Sequence, residues 1–182
     1  MTEITVYYTV QAGRASDLLL REAAARFTGW DPAECETVRE PWKKPVFARH
    51  PELCASVSHS GGIWAAALSR ETDVGLDIQE PVAVRRMAGI ARRFYHPAER
   101  EVWERADDPA AMFVRLWCRK EAAVKQTGRG IDGSFALFDA TRDICEVFGE
   151  TLILTDFSLP DFPDLFCAAA YPEPFDIRTV RF

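Results

Sequence analysis

The stretch from Phe113 to Gly128, F-V-R-L-W-C-R-K-E-A-A-V-K-Q-T-G, constrains the fold more than any other part of the chain. Asp108-Pro109 precedes it as an N-cap residue followed by proline at the first helical position, and Gly128 follows as a helix-ending glycine. At helical spacing Phe113, Leu116, Trp117 and Val124 share one face, which predicts a helix packed on a core. Lys120 falls inside that apolar stripe, Glu121 and Lys125 run along its border, and Arg115 and Arg119 point the opposite way, toward solvent. A Glu–Lys pair four residues apart is ordinarily a solvated ion pair contributing a few tenths of a kcal/mol. Here the arginines take the solvated face, so the charges beside the stripe require a partner, a metal or a ligand to offset desolvation.

A chain of 182 residues can bury a sizeable core as one domain or two small halves. With 48% hydrophobic and 27% charged residues it has the composition of a soluble globular protein. A net charge of -6 argues against a nucleic-acid binder while leaving room for a local cationic pocket. The five cysteines show no C-x-x-C spacing, which suggests neither zinc nor a disulfide framework. Their odd number, with no signal peptide and no apolar run of transmembrane length, predicts a cytoplasmic protein without membrane attachment.

In order, Ile4 to Val10 reads as a strand and Ser16 to Phe27 as a helix, with Ser16 a possible cap and Arg21 on its surface. Residues 30–51, including Trp42-Lys43-Lys44-Pro45, read as an irregular connection. Leu53 to Ser58 reads as a strand ending in the turn-like Ser58-His59-Ser60-Gly61-Gly62, and Ile63 to Leu68 as another. Val74 to Gln79 alternates, with Val74, Leu76 and Ile78 on one face and Gly75, Asp77 and Gln79 on the other. Helices are expected over 83–95 and 97–106. Strands are expected at Phe135–Asp139, Glu146–Phe148, Thr151–Phe157, Leu165–Ala170 and Ile177–Val180, forming an antiparallel meander. The class is α+β, with two similar halves, 1–80 and 81–182.

Asp77 lies on a strand where Gly75 lets another element approach closely. Brought against Glu121 where sheet meets helix, it would supply the carboxylates that Mg²⁺ takes alongside substrate phosphates. Lys44, His59, Lys120 and Lys125 would then surround those phosphates with charge and donors. Spacing alone suggests no more than a metal-assisted phosphate site. Taken singly, Asp77 also suits a surface turn, and His59 a turn histidine satisfied by backbone.

The run V-G-L-D-I at Val74–Ile78, followed by W-C-R-K-E-A-A-V-K at Trp117–Lys125 and G-R-G, resembles the signature of the 4′-phosphopantetheinyl transferases. The likeness extends to Lys44-Pro45 and Ser58-His59-Ser60, and favours the Sfp-type branch, whose members are built from two pseudo-twofold-related α+β halves, over the trimeric holo-acyl-carrier-protein synthases. The resemblance implies transfer of 4′-phosphopantetheine from coenzyme A to a serine of an apo acyl or peptidyl carrier protein by a monomer, releasing 3′,5′-ADP. It implies Asp77 and Glu121 as ligands of Mg²⁺ or Mn²⁺, Glu121 as the base for the carrier serine, and Lys125 on the pyrophosphate. It implies Ser58, His59, Lys44 and Lys120 around coenzyme A, with Arg21 a further phosphate contact. The W-x-x-K-E-A pattern resembles the subgroup associated with nonribosomal peptide and polyketide synthesis.

Many Sfp-type members carry a second acidic residue two positions beyond the strand aspartate, where this chain has Gln79. Gln79 or a water is expected to complete the metal site, since alternation aims Glu80 away. Met87, Ile90, Phe94 and Tyr95 suit either carrier docking or core packing. The same residues also suit two rival functions: a coenzyme A-binding relative without transferase activity, and a magnesium-dependent nucleotide hydrolase.

Overall fold

In the computed structural model, which describes residues 3–38, 40, 43–81, 86–130 and 133–182, hydrophobic alternation builds two four-stranded sheets with a helix on each outer face. The elements follow in order: β1 (Glu3–Val10), α1 (Ser16–Thr28), β2 (Thr37–Val38), β3 (Val46–Phe47), β4 (Cys54–Ser60), β5 (Ile63–Ser69), β6 (Gly75–Gln79), α2 (Met87–Phe94), α3 (Pro97–Glu104), α4 (Pro109–Thr127), β7 (Ile144–Val147), β8 (Glu150–Leu159), β9 (Phe162–Tyr171) and β10 (Asp176–Arg181). The first sheet runs β10-β1-β5-β4 and the second β6-β9-β8-β7. Ile4, Val6 and Tyr8 of β1 meet Leu76, Ile78, Cys167 and Ala169 between the sheets. Alternate residues Tyr7, Trp64 and Ala66 pack under α1, and Ala168 and Ala170 pack under α4. The class is α+β, as the sequence pattern predicts.

The two sheets draw strands from both sides of residue 80. β6 pairs with β9 in the second sheet, and β10 pairs in parallel with β1 in the first. The expectation that Ile177–Val180 continues the antiparallel meander is therefore corrected. Pro172 and Pro174 lack the N–H that a ladder needs, and they release the chain to the other sheet.

The two sheets meet through side chains. The Oγ atoms of Ser56, Ser58 and Ser60, at alternate positions of β4, accept from the N–H groups of Leu76, Ile78 and Glu80 at 2.9, 3.2 and 2.9 Å. Three hydroxyls thus take the place of carbonyl acceptors at a junction where no backbone ladder forms.

Other corrections are local. β4 runs through His59 to Ser60, because Gly61 and Gly62 (φ 58° and 80°) make the two-residue turn of a β4–β5 hairpin, so His59 is an exposed strand residue. Ser16 does not cap α1. Ala15 stands at the N-cap, and the Ser16 hydroxyl accepts from Trp64 Nε1 at 2.9 Å. The segment Gly133–Leu137 is a 3₁₀ helix rather than the start of a strand, and its three-residue repeat buries both Phe135 and Phe138. The expected helix over 83–95 is seen from Met87, and 82–85 lie outside the described residues. Tyr95 is buried, and Met87, Ile90 and Phe94 pack with Phe113 and Trp103, so these residues serve the core.

The central helix keeps its predicted ends: Asp108 accepts from Ala111 N–H at 3.0 Å, and Gly128 adopts φ 68°. It lies close on β6 because Gly75 has no side chain. A Cβ there would fall 1.9 Å from the Ala122 carbonyl oxygen and 2.5 Å from the Gln126 nitrogen, both helix backbone that no rotamer change can move. Gly75→Ala is expected to cost at least about 2 kcal/mol in denaturant unfolding, since overpacking against backbone shifts the whole helix.

Candidate active site

β6 and α4 bring together the two predicted carboxylates and one of the predicted lysines. Asp77 is 2% exposed, facing the helix. Its Oδ1 accepts from Ser58 Oγ at 2.7 Å and from Lys125 Nζ at 2.7 Å, and its Oδ2 from Gln79 Nε2 at 2.9 Å. Lys125 also donates to Ser58 Oγ at 3.1 Å. Ser58 therefore ties β4, β6 and α4 at one atom. Cys118 secures the same strand from behind, its Sγ donating to the Asp77 carbonyl at 3.2 Å.

Glu121, one turn before Lys125, is half-buried and makes no hydrogen bond to the described residues. Burial pushes its carboxyl up to about 7; the Asp77 charge adds to this and Lys125 opposes it. A groove of about 570 Å³ opens over this pair, lined by Lys43, Lys44, Ser56, Glu121, Lys125, Gly128 and Gly130.

The remaining predicted residues are placed differently. Lys44 lines the groove, but its ammonium is held by the Asp73 carboxylate and by the Val74 carbonyl at 2.9 Å. Lys120 is fully buried away from the groove, donating to Glu99 Oε1 and to the Phe138 carbonyl, each at 2.8 Å, so its expected ligand contact is corrected to a structural one. Glu99 completes its bonds with the N–H groups of Ala140 (2.7 Å) and His96 (2.8 Å). Burial pushes Glu99 up and Lys120 down, and their mutual contact opposes both shifts. Arg21 sits on α1, at the outer face of the first sheet, paired with Glu36 and not lining the groove.

Arg119, expected in solvent, is 2% exposed. The 139–143 turn and β8 cover that side of α4 and supply its acceptors: the carbonyls of Ala140 and Arg142, each at 2.8 Å, and the carboxylates of Asp143 and Asp156 at 2.9 and 3.0 Å. Gln79 presents its amide nitrogen to Asp77, because a carboxylate only accepts. It is a donor to Asp77 here.

Sequence reasoning missed Lys43, Ser56 and Glu99. The period-two serines of β4 were a usable signal for Ser56. Glu99 shows locally only as the third residue of a capping box with His96.

Glu121, Lys125, Lys43 and Lys44 line one groove at the junction of the two sheets, with Asp77 bound to Lys125 beside it, an arrangement suited to phosphate-bearing ligands. Comparison with known proteins agrees: a model of the 4′-phosphopantetheinyl transferase superfamily matches residues 73–162. The chain is 32% identical over 119 residues to a 4′-phosphopantetheinyl transferase of Bacillus subtilis, covering 63% of this chain and 51% of that protein. It is 35% identical over 121 residues to the 4′-phosphopantetheinyl transferase psf-1 of Bacillus pumilus, covering 64% and 49%. It is 33% identical over 135 residues to the 4′-phosphopantetheinyl transferase AcpT of Salmonella typhimurium, covering 66% and 70%. The chain belongs to the 4′-phosphopantetheinyl transferase superfamily. It spans about half the length of the two Bacillus relatives.

Proposed function

We propose that this protein transfers 4′-phosphopantetheine from coenzyme A to a serine hydroxyl of an apo acyl or peptidyl carrier protein, releasing 3′,5′-ADP. The observation that carries the reading is the half-buried Glu121 carboxylate, without a hydrogen bond among the described residues, beside the Asp77–Lys125 pair in a lysine-rimmed groove. The serine oxygen attacks the phosphorus that bears pantetheine, and the bond from that phosphorus to the bridging oxygen breaks. Glu121, with an affinity for protons near neutrality, takes the serine proton. Lys125 offsets the charge that gathers on the departing nucleotide, and Lys43 and Lys44 rim the approach. Ser58 keeps Asp77 and Lys125 aligned, and His59, exposed on β4, is available to the nucleotide end.

Among the described residues no three His, Cys, Asp or Glu side chains cluster. The donor set nevertheless fits Mg²⁺, or Mn²⁺, in the way such ions are held beside phosphates: two carboxylates, one of them lacking a hydrogen-bond donor among the described residues. Asp77 and Glu121 would hold the ion, which when bound neutralises pyrophosphate charge.

We read the protein as a cytoplasmic monomer. The five cysteines are all free, and no helix among the described residues is long and apolar enough to cross a membrane. The Trp117-Lys120-Glu121-Ala122 pattern favours carriers of nonribosomal peptide and polyketide synthesis.

The test is the intact mass of apo peptidyl, polyketide and fatty-acid carriers after incubation with the protein, coenzyme A and Mg²⁺. A phosphopantetheine-sized gain is expected on at least one. Tight coenzyme A binding without any gain would replace this reading with a binding protein, and coenzyme A breakdown without carrier modification would replace it with a hydrolase.

A further inference from the structure

Asp77 is saturated by the protein itself. Its Oδ2 holds the Gln79 amide, and its Oδ1 holds both the Ser58 hydroxyl and the Lys125 ammonium, at 2.9, 2.7 and 2.7 Å respectively. The carboxylate is 2% exposed, so no open side remains for an incoming ion. Ser58 and Gln79 are neutral, and both are anchored to Asp77 from neighbouring strand positions. Lys125 alone carries a charge that would repel a divalent cation at Oδ1, and it alone has room to leave. Its side chain is 29% exposed and lines the groove beside Glu121.

From this geometry we infer that Lys125 is a resident place-holder, an ammonium on Asp77 Oδ1 that a divalent cation must displace to bind. The displaced ammonium then points into the groove, where an anionic ligand would receive it. Cation entry and phosphate binding are thereby coupled: the ion gains Asp77 only as Lys125 loses it, and a phosphate group gives Lys125 a second partner. Free of phosphate, the protein resists the ion and keeps Asp77 compensated without it. This rests on the reading of Asp77 and Glu121 as the cation's ligands.

The experiment titrates Mn²⁺ alone into the phosphate-free protein and follows unbound Mn²⁺ by electron paramagnetic resonance. It compares the native chain with Lys125→Met and Lys125→Arg, each checked for folding by circular dichroism. Removing a unit charge from contact with the ion's oxygen is expected to tighten Mn²⁺ binding roughly tenfold or more in Lys125→Met. Lys125→Arg, which keeps the charge, is expected to show no such gain. Equal or weaker binding in Lys125→Met, including no binding in either protein, would overturn the inference. So would an equal gain in Lys125→Arg, because charge would then not be the cause. The carrier mass assay reads the proposed reaction separately. A native protein that modifies no carrier yet gives this Mn²⁺ ranking would leave the place-holder standing and the transferase reading lost.

Discussion

Glu121→Gln is expected to lower carrier modification on the order of 10³-fold, the scale of losing a positioned general base, while making the metal-free protein more stable at pH 8. The two effects have one cause. Glu121 sits in a half-buried position with no hydrogen-bond donor among the described residues, and its carboxyl is pushed up to about 7 by burial and by Asp77. The unfolded chain has no such constraint, so its glutamate ionises first as pH rises. Near pH 4 and below both states hold the proton, and Glu121 costs nothing. Between there and about 7 the unfolded state increasingly prefers to ionise, and stability falls. Above about 7 the whole penalty is present. The glutamine variant is free of it, so its melting temperature is expected to exceed the native value by about 2–6 °C at pH 8 and to match it near pH 4. Calorimetry at the two pH values, in chelator, checks this. Equal melting temperatures at pH 8 would mean that Glu121 finds a donor in solution.

Lys120→Met is expected to destabilise the fold by about 3–5 kcal/mol, the cost of leaving one member of a buried ion pair without the other. Glu99 would keep a buried carboxylate with the backbone donors of His96 and Ala140, and the Phe138 carbonyl would lose the Lys120 ammonium. The double variant Lys120→Met/Glu99→Gln is expected to recover part of the loss, because no unpaired charge remains. Denaturant unfolding of the three proteins measures the effect. A direct role in holding coenzyme A would instead leave stability near native and weaken coenzyme A binding, which calorimetric titration of the folded variant would register. Lys120 is thus conspicuous in the sequence for a structural reason: it bridges α3, α4 and the 3₁₀ turn that closes the second core.

The residues that the sequence revealed were those whose signals are local. Asp108 and Gly128 mark the ends of α4, the alternation of Val74–Gln79 puts Asp77 and Gln79 on one face, and Gly75 announces a close neighbour. Glu121 and Lys125 follow from the helical repeat. Hidden residues depend on distant partners. Lys120 and Arg119 are adjacent on one helix, the first reading as part of the apolar stripe and the second as solvated, yet Glu99 and the 139–143 turn arrive from elsewhere to bury both. Lys44 could be read as a free cation because Asp73, its partner, lies across the fold in a different connection. The strand expected at Phe135–Asp139 does not form for another reason: Phe135 and Phe138, three residues apart, share one face of a 3₁₀ turn but would point to opposite faces of a strand.

The parallel pairing of β1 with β10 places Glu3 opposite Asp176 and Tyr8 opposite Arg181. During synthesis, β1 emerges long before β10, its outer neighbour, because every other element described lies between them. Residues 3–8 must therefore wait, with one row of backbone donors and acceptors unclaimed, until the ribosome has made the segment through β10. Closure over so long a loop slows folding and exposes a strand edge to other chains in the interval. Nascent chains held short of residue 176 are where chaperone dependence and aggregation of this protein will concentrate, whatever the stability of the finished fold.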